Sequence, residues 1–200
     1  MVEVRGKHIY PGLILLSTSI GLTEIEAVRA TNDFREKGLF NPNVKAYTAF
    51  NVESEVIKTI RSNGISVAQV VPRGGLISGT SSILYLEGWT VNEAVVVKEE
   101  GIHLNWPAAY QKKGWWGHPG PIEKNKKVEE HLQRLTAFFK QAKSYTIQPN
   151  GVDLKLKSMA GLFDGTKQLY VHVDRANDII KVISFFKDLG VSRDRKSTRL

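Results

Sequence analysis

The sequence predicts an α/β protein built on a parallel sheet, and three features of its hydrophobic pattern lead to this prediction. Residues 12–20 and 65–71 are predicted to be buried strands, because they are apolar on both faces as parallel strands usually are. An amphipathic helix is predicted between them over residues 53–62, so these segments form a strand–helix–strand unit. A further apolar strand at residues 168–173 leads directly into a helix, which repeats the same order.

The remaining elements follow from local patterns. Residues 24–30 are predicted to form a helical turn or loop, and residues 32–42 a loop marked by Gly38 and Asn41-Pro42. Two short strands are expected to pair with each other outside the main sheet, and the Trp-, Gly- and Pro-containing stretch that follows them is predicted to be irregular. Three helices are then predicted, each with an apolar stripe. In chain order these segments are 82–86, 94–98, 101–121, 122–144, 153–162 and 175–189.

Length and composition limit what the chain can do. Its 200 residues are 42% hydrophobic and 24% charged, which predicts one globular unit. The absence of cysteine excludes disulfides and thiolate metal sites within the chain. The formal net charge of +8 forms no continuous basic stripe, and no run approaches about 18 apolar residues, so neither a nucleic-acid nor a membrane partner is predicted. The cellular compartment stays open.

One motif near the start resembles a known family. The run Gly6-Lys7-His8-Ile9-Tyr10-Pro11-Gly12-Leu13-Ile14 is similar to the segment G-K-x-x-x-P-G-L-I that introduces the metal site of the amidohydrolase superfamily. In most members an Asp and then His-x-His follow on the first strand of a (β/α)₈ barrel. This sequence has Leu15 at the Asp position, and Ser17 and Ser19 at the two His positions. The introductory segment is therefore present, and the metal ligands are replaced.

The replacement matters because of coordination chemistry. Residues two apart on a strand point to the same side, so His-x-His would direct two imidazoles into the barrel. A catalytic zinc site uses about three protein ligands and leaves one position for water. Ser17 and Ser19 keep the spacing but lack the donors. The alternative is that this segment is an ordinary buried strand whose hydroxyl groups are hydrogen-bonded locally.

A second motif comprises the predicted strand at residues 168–173 and the residue after it. Its sequence is Gln168-Leu169-Tyr170-Val171-His172-Val173-Asp174. This run resembles the strand of imidazolonepropionase-like amidohydrolases that ends in H-A-D or H-A-E and carries a metal-binding histidine. The resemblance implies that His172 is a metal ligand and that Asp174 orients water or substrate and shuttles protons. The alternative is a strand-end histidine bonded to a neighbour, with Asp174 as the N-cap of the next helix.

A glycine- and hydroxyl-rich loop follows residues 65–71, at the end of a strand where barrel enzymes build their sites. Its glycines and hydroxyls could form an anion-binding nest of backbone N–H groups, although it matches neither a Walker A loop nor a dinucleotide fingerprint. The alternative is a simple turn that joins two strands. Two other histidines, His103 and His118, are expected to be surface or hydrogen-bonded side chains rather than ligands. The candidate loop residues are Arg73, Gly74, Gly75, Ser78 and Thr80.

The resemblance implies a partial (β/α)₈ TIM-type barrel of the metal-dependent hydrolase type. A complete barrel needs about 250 residues, so the chain is expected to be incomplete at both ends. Residues 1–11 would be the remnant of an N-terminal β-sandwich (Val2 to Val4) with the entry segment, and residues 12–191 the partial barrel. Residues 192–200 show no apolar period and are expected to be a disordered, non-native tail.

The function implied by the resemblance is hydrolysis of C–N bonds other than peptide bonds in a small cyclic or linear amide. Full-length members would use zinc or a similar divalent metal, whereas this chain is expected to hold none and to be inactive alone. The alternative is a non-catalytic barrel homologue that binds a ligand, or that stabilises a partner as a homo-oligomer or beside an active paralogue. Ser17 and Ser19 favour the alternative, and His172 with Asp174 favours the enzyme.

Overall fold

The computed structural model describes residues 5–115 and 117–191. The expectations for Val2 to Val4 and for the tail at 192–200 therefore lie outside the described residues. Two short 3-10 turns, at Arg29–Thr31 and Ala46–Ala49, precede the first helix. The strands are β1 (Leu13–Thr18), β2 (Ile65–Val70), β3 (Ile77–Tyr85), β4 (Val95–Asn105), β5 (Tyr110–Trp115), β6 (His118–Lys124) and β7 (Gln168–His172), and the helices are α1 (Glu55–Ser62), α2 (Val91–Ala94), α3 (Val128–Ile147), α4 (Leu154–Asp164) and α5 (Ala176–Asp188).

Five strands form one curled sheet in the order β1-β2-β3-β4-β7, which corresponds to half of a barrel. Strands β1 and β2 are parallel, and so are β4 and β7. Strand β3 lies between the two pairs and is antiparallel to both of its neighbours. The carboxyl ends of β1, β2, β4 and β7 therefore meet at one edge of the sheet, together with the start of β3.

The antiparallel strand corrects two expectations, because the main sheet is mixed rather than parallel and the two short strands do not form a separate pair. The predicted pairing of residues 82–86 with 94–98 is present, but both strands are longer and belong to the main sheet. Only residues 71–76 join β2 to β3, and residues 86–94 join β3 to β4. Parallel neighbours need a crossover of about a dozen residues or more, so these short connections reverse the chain.

The helices are positioned by their apolar stripes. Helices α3, α4 and α5 pack on one face of the sheet, where Leu135, Phe139, Met159 and Phe186 lie in one buried cluster with strand residues such as Ile102. Ile57 of α1 belongs to a second buried cluster under β2 and β3. Asp153 caps α4 as predicted, because its carboxylate accepts hydrogen bonds from the backbone N–H groups of Lys155 and Leu156.

The stretch predicted to be irregular is mostly strand. Strand β4 continues to Asn105, and β5 pairs with β6 as a two-stranded antiparallel sheet. The predicted helix at 122–144 accordingly begins later, as α3 at Val128. The sequence pattern missed this hairpin because its pairing joins segments without a clear alternation of apolar residues. No helix in the described part of the chain is long and apolar enough to cross a membrane.

Candidate functional site

The interior face of the sheet is defined by alternation along β4 and β7. Ile102 and Leu104 of β4 face the helices, as do Leu169 and Val171 of β7. The residues between them point to the opposite face. In register, His103 lies beside Tyr170, and Asn105 lies beside His172. Polar and aromatic side chains of two neighbouring parallel strands are thereby brought together at their carboxyl ends.

His103 and His172 are directly hydrogen-bonded to each other. The His103 Nδ1 atom lies 2.9 Å from the His172 Nε2 atom, so one imidazole donates and the other accepts. The His103 ring also stacks on Tyr170, with ring centroids 4.7 Å apart. Of the two expectations for His103, a surface or a hydrogen-bonded histidine, the structure shows the second, and the partner is the histidine of the second motif.

His103 is held in its neutral form. Only 1% of the residue is exposed, and burial, the neighbouring His172 and the guanidinium of Arg73 together lower its pKa to about 3. Its second ring nitrogen, Nε2, is buried and has no hydrogen-bond partner among the described residues. A neutral imidazole has one donor and one acceptor nitrogen, so either ring can be the donor of this hydrogen bond.

A carboxylate, Glu100, is connected to the histidine pair through Tyr170 and accepts hydrogen bonds from three strands. Its Oε2 atom accepts from Gln69 Nε2 of β2 at 2.9 Å and from Ser81 Oγ of β3 at 2.8 Å. Its Oε1 atom accepts from the hydroxyl of Tyr170 on β7. The Gln69 Oε1 atom in turn accepts the backbone N–H of Ser17 on β1 at 3.2 Å. One carboxylate is therefore linked to every strand of the five-stranded sheet. We call these five residues the Glu100 cluster.

Gly101 makes room for this arrangement, and replacing it should be costly. A Cβ atom at this position would lie 2.6 Å from Tyr170 Cε2 and 2.9 Å from the backbone oxygen of Gln168. We expect Gly101→Ala to lower the free energy of unfolding by about 1–3 kcal/mol, because the backbone oxygen cannot move aside. Urea denaturation measures this, and a midpoint equal to that of the unchanged protein would contradict the described contact between Gly101 and Tyr170.

The expectation that the first strand is buried is wrong, because β1 lies at the end of the five-stranded sheet and its Leu13, Ile14 and Leu16 side chains are exposed. The serines that replace the expected histidines lie at its carboxyl end. Ser17 has a left-handed backbone, with φ of 52°, and its carbonyl accepts a hydrogen bond from Arg73 Nη2 at 2.8 Å. Ser19 lies beyond the strand, where its carbonyl accepts from the backbone N–H of Leu22. The left-handed residue interrupts the regular alternation that the spacing of the two serines implied.

The loop after β2 joins β2 to β3, as expected if it is a simple turn between two strands. The backbone N–H groups of Arg73 and Thr80 donate to Phe34 and Val44. The Asn105 side chain donates to the Gly75 carbonyl and to Ser78 Oγ, both at 3.0 Å, and at 3.4 Å to the Gly74 carbonyl. The Thr80 hydroxyl donates to the carbonyl of Pro42. The Asn105 contacts tie the loop to the carboxyl end of β4, and the others tie it and the start of β3 to residues 34–44.

A cavity of about 310 Å³ opens beside the histidine pair. His172, Asp174 and the buried Asp178 line it, together with the aromatic rings of Trp106 and Tyr110. Arg175 also lines the cavity and lies over the Tyr110 ring, with 4.9 Å from Cζ to the ring centroid. Asp174 precedes α5, and Arg175 rather than Asp174 occupies the N-cap position of that helix. His118, by contrast, pairs with Trp115 in the hairpin.

The described residues do not fit a catalytic zinc or a similar divalent metal. Such an ion needs about three protein ligands. No group of three His, Cys, Asp or Glu side chains that could hold an ion occurs among the residues that the structure describes. The two imidazoles use one nitrogen each on each other, and both oxygens of Glu100 accept hydrogen bonds. These atoms are engaged in hydrogen bonds, and the buried His103 Nε2 atom, which has no partner among the described residues, does not by itself make a three-ligand site.

Comparison with known proteins supports the fold. No protein-family model matches the sequence, and no curated protein matches it. The chain is similar to the crystal structure of an amidohydrolase from Thermotoga maritima MSB8, with a TM-score of 0.74 and 19% sequence identity. The similarity covers 95% of this chain and 54% of that structure, so the chain spans about half of its length. The curled half-barrel of this chain is therefore an amidohydrolase-like fold.

Proposed function

We propose that this chain forms part of an imidazolonepropionase-like hydrolase that acts on C–N bonds other than peptide bonds in small cyclic or linear amides. The observation that carries the proposal is the hydrogen-bonded pair of His103 and His172 at the carboxyl ends of β4 and β7, beside a cavity that Asp174 also lines. Barrel enzymes place their reacting groups at this edge. The amidohydrolase-like fold supports the reaction class.

In the proposed reaction His172 takes a proton from the attacking water while His103 holds the imidazole in place through their hydrogen bond. Asp174 carries that proton toward the leaving nitrogen, since it lines the same cavity. The walls formed by Trp106 and Tyr110 exclude water from the remainder of a small substrate. No step of this scheme is assigned to a metal, because the described side chains do not form a ligand set.

A non-catalytic homologue is the second candidate function, and specific observations favour it. Ser17 and Ser19 stand where the resemblance places two histidines, and both oxygens of Glu100 accept internal hydrogen bonds. Under this proposal the cavity binds a small amide without cleaving it. The chain would then act as a ligand-binding module or as a stabilising partner for another copy or for an active paralogue.

Substitution of His172 separates the two functions. The experiment uses the full-length protein. It measures turnover of a panel of cyclic and linear amides by the unchanged protein, by His172→Ala and by Asp174→Asn. Loss of a general base costs about 10²- to 10⁴-fold in rate. We therefore expect kcat/KM to fall by at least about 10²-fold in His172→Ala. His8→Ala, at an exposed position, is the matched control.

Two results would contradict the hydrolase proposal. The first is turnover that His172→Ala leaves unchanged. The second is an amide that binds in calorimetry, loses its binding in His172→Ala, and is never cleaved by the unchanged protein. The second result supports the ligand-binding module.

A further inference from the structure

We propose that the Glu100 carboxylate joins the strands of this half-barrel in place of a divalent metal, so that the chain keeps its site geometry without any metal. The inference goes beyond the proposed hydrolysis and does not depend on it. It starts from the disagreement between the residues of the chain and the metal that an amidohydrolase-like fold implies. The residues disagree with such a metal because Ser17 and Ser19 occupy the first-strand positions where two metal-binding histidines are expected.

The linkage runs through side chains of every strand. Tyr170 reaches Glu100 from β7, Ser81 from β3 and Gln69 from β2, and Gln69 extends the chain of contacts to the backbone of Ser17 on β1. Two of these contacts bridge segments that are far apart in the sequence, because Gln69 and Glu100 are separated by 31 positions and Glu100 and Tyr170 by 70. A metal would join the strands by binding ligand side chains from several of them. Here a carboxylate joins them by accepting hydrogen bonds from side chains on several of them.

These hydrogen bonds contribute to stability because their donors are buried. Ser81 is fully buried and Gln69 is 7% exposed, so neither group could return to bulk water if the carboxylate were lost. Hydrogen bonds to a charged acceptor are about twice as strong as neutral ones. Two irregularities of the backbone also lie at members of the Glu100 cluster. The pairing of β3 with β4 shifts register between Ser81–Gly101 and Ile83–Val97, next to Glu100. The left-handed Ser17 presents its N–H to Gln69.

The same contacts oppose metal binding. An ion that took Glu100 or the paired nitrogens of His103 and His172 as ligands would have to break their hydrogen bonds. Even with His103 Nε2, which has no partner among the described residues, it would gain fewer than three clustered ligands from that part of the chain. Glu100 is half-buried, but its donors Gln69 and Ser81 are buried, so an ion that displaced them would leave buried polar groups without partners. The cluster therefore favours the metal-free arrangement.

The first experiment measures metal directly on the full chain. We expect equilibrium dialysis against Zn²⁺ to leave far less than one equivalent on the protein, and titration with Co²⁺ to give no d–d absorption bands. Thermal unfolding should show the same Tm with EDTA and with excess Zn²⁺. One retained equivalent of either ion, together with a Tm that the ion raises, would overturn the inference.

The second experiment removes the charge. Glu100→Gln converts the acceptor into an amide, whose N–H groups face other donors. We expect Tm to fall by roughly 5–10 °C. This range converts the free energy lost with hydrogen bonds to a charged group into a change in Tm for a chain of this size. Glu26→Gln makes the same chemical change at an exposed position and should leave Tm within about 1 °C.

If Glu100→Gln does not fold, Tyr170→Phe replaces it as the test, because it deletes one hydroxyl and keeps the ring that stacks on His103. We expect Tyr170→Phe to lower Tm by roughly 3–6 °C. Variants that melt like the unchanged protein would show that Glu100 does not join the strands. Neither experiment measures hydrolysis, so the outcome here and the outcome for the proposed function can be told apart.

Discussion

The free energy of unfolding should fall by up to about 5 kcal/mol between pH 6.5 and pH 3 because of His103 alone. Its pKa is about 3 in the folded chain and near its ordinary value of 6.5 in the unfolded chain. Between these values the unfolded state binds the proton and the folded state does not, so stability decreases as the pH falls. The contribution is fully present above pH 6.5. Urea titrations at a series of pH values measure the slope.

A matched variant isolates this contribution from that of the carboxylates. His103→Asn keeps a nitrogen donor near the position of Nδ1 and cannot titrate in this range. We expect the pH dependence of stability between pH 6.5 and 3 to be markedly weaker in His103→Asn than in the unchanged protein. Equal slopes in the two proteins would show that His103 is not held neutral by its surroundings.

Truncation of Phe139 should be the most damaging single change in the helical layer. Phe139 is 1% exposed and packs edge-to-face on Phe186, with ring centroids 5.3 Å apart. Phe139→Ala removes these contacts and leaves a cavity between α3, α5 and the sheet. We expect a loss of about 3–5 kcal/mol in the free energy of unfolding, measured by urea denaturation.

The neighbouring position Lys140 provides the control, since it lies on the exposed face of the same helix. Lys140→Ala should change the free energy of unfolding by no more than about 0.5 kcal/mol. Equal effects of Phe139→Ala and Lys140→Ala would contradict the packing of α3 on the sheet.

Local patterns in the sequence were sufficient for the elements that carry their own periodicity. The strands at 65–71 and 168–173 and the helices around Ile57, Leu156 and Val182 appear close to where the pattern predicts them. The buried side of α3, with Leu135, Phe139 and Ala142, is the stripe visible in the sequence. Such elements are predictable because a repeat of two or of 3.6 residues reports which side is buried.

The direction of β3 and the Glu100 cluster are not readable from local patterns. The direction of β3 follows from the length of its connections, which depends on where each strand ends and not on its apolar residues. The cluster joins Gln69, Ser81, Glu100 and Tyr170, whose proximity exists only once the sheet is assembled. One signal was present in the second motif, because Tyr170 and His172 are two residues apart and share a face of one strand.

The most direct test of the account is nuclear magnetic resonance of the protein with ¹⁵N-labelled histidine at neutral pH. The account predicts a nitrogen–nitrogen coupling across the hydrogen bond between His103 Nδ1 and His172 Nε2, and a spectrum for this pair that added Zn²⁺ does not change. Two imidazoles without such a coupling, with His103 titrating near pH 6.5, would contradict it. So would a pair whose resonances are replaced by metal-bound ones when Zn²⁺ is added.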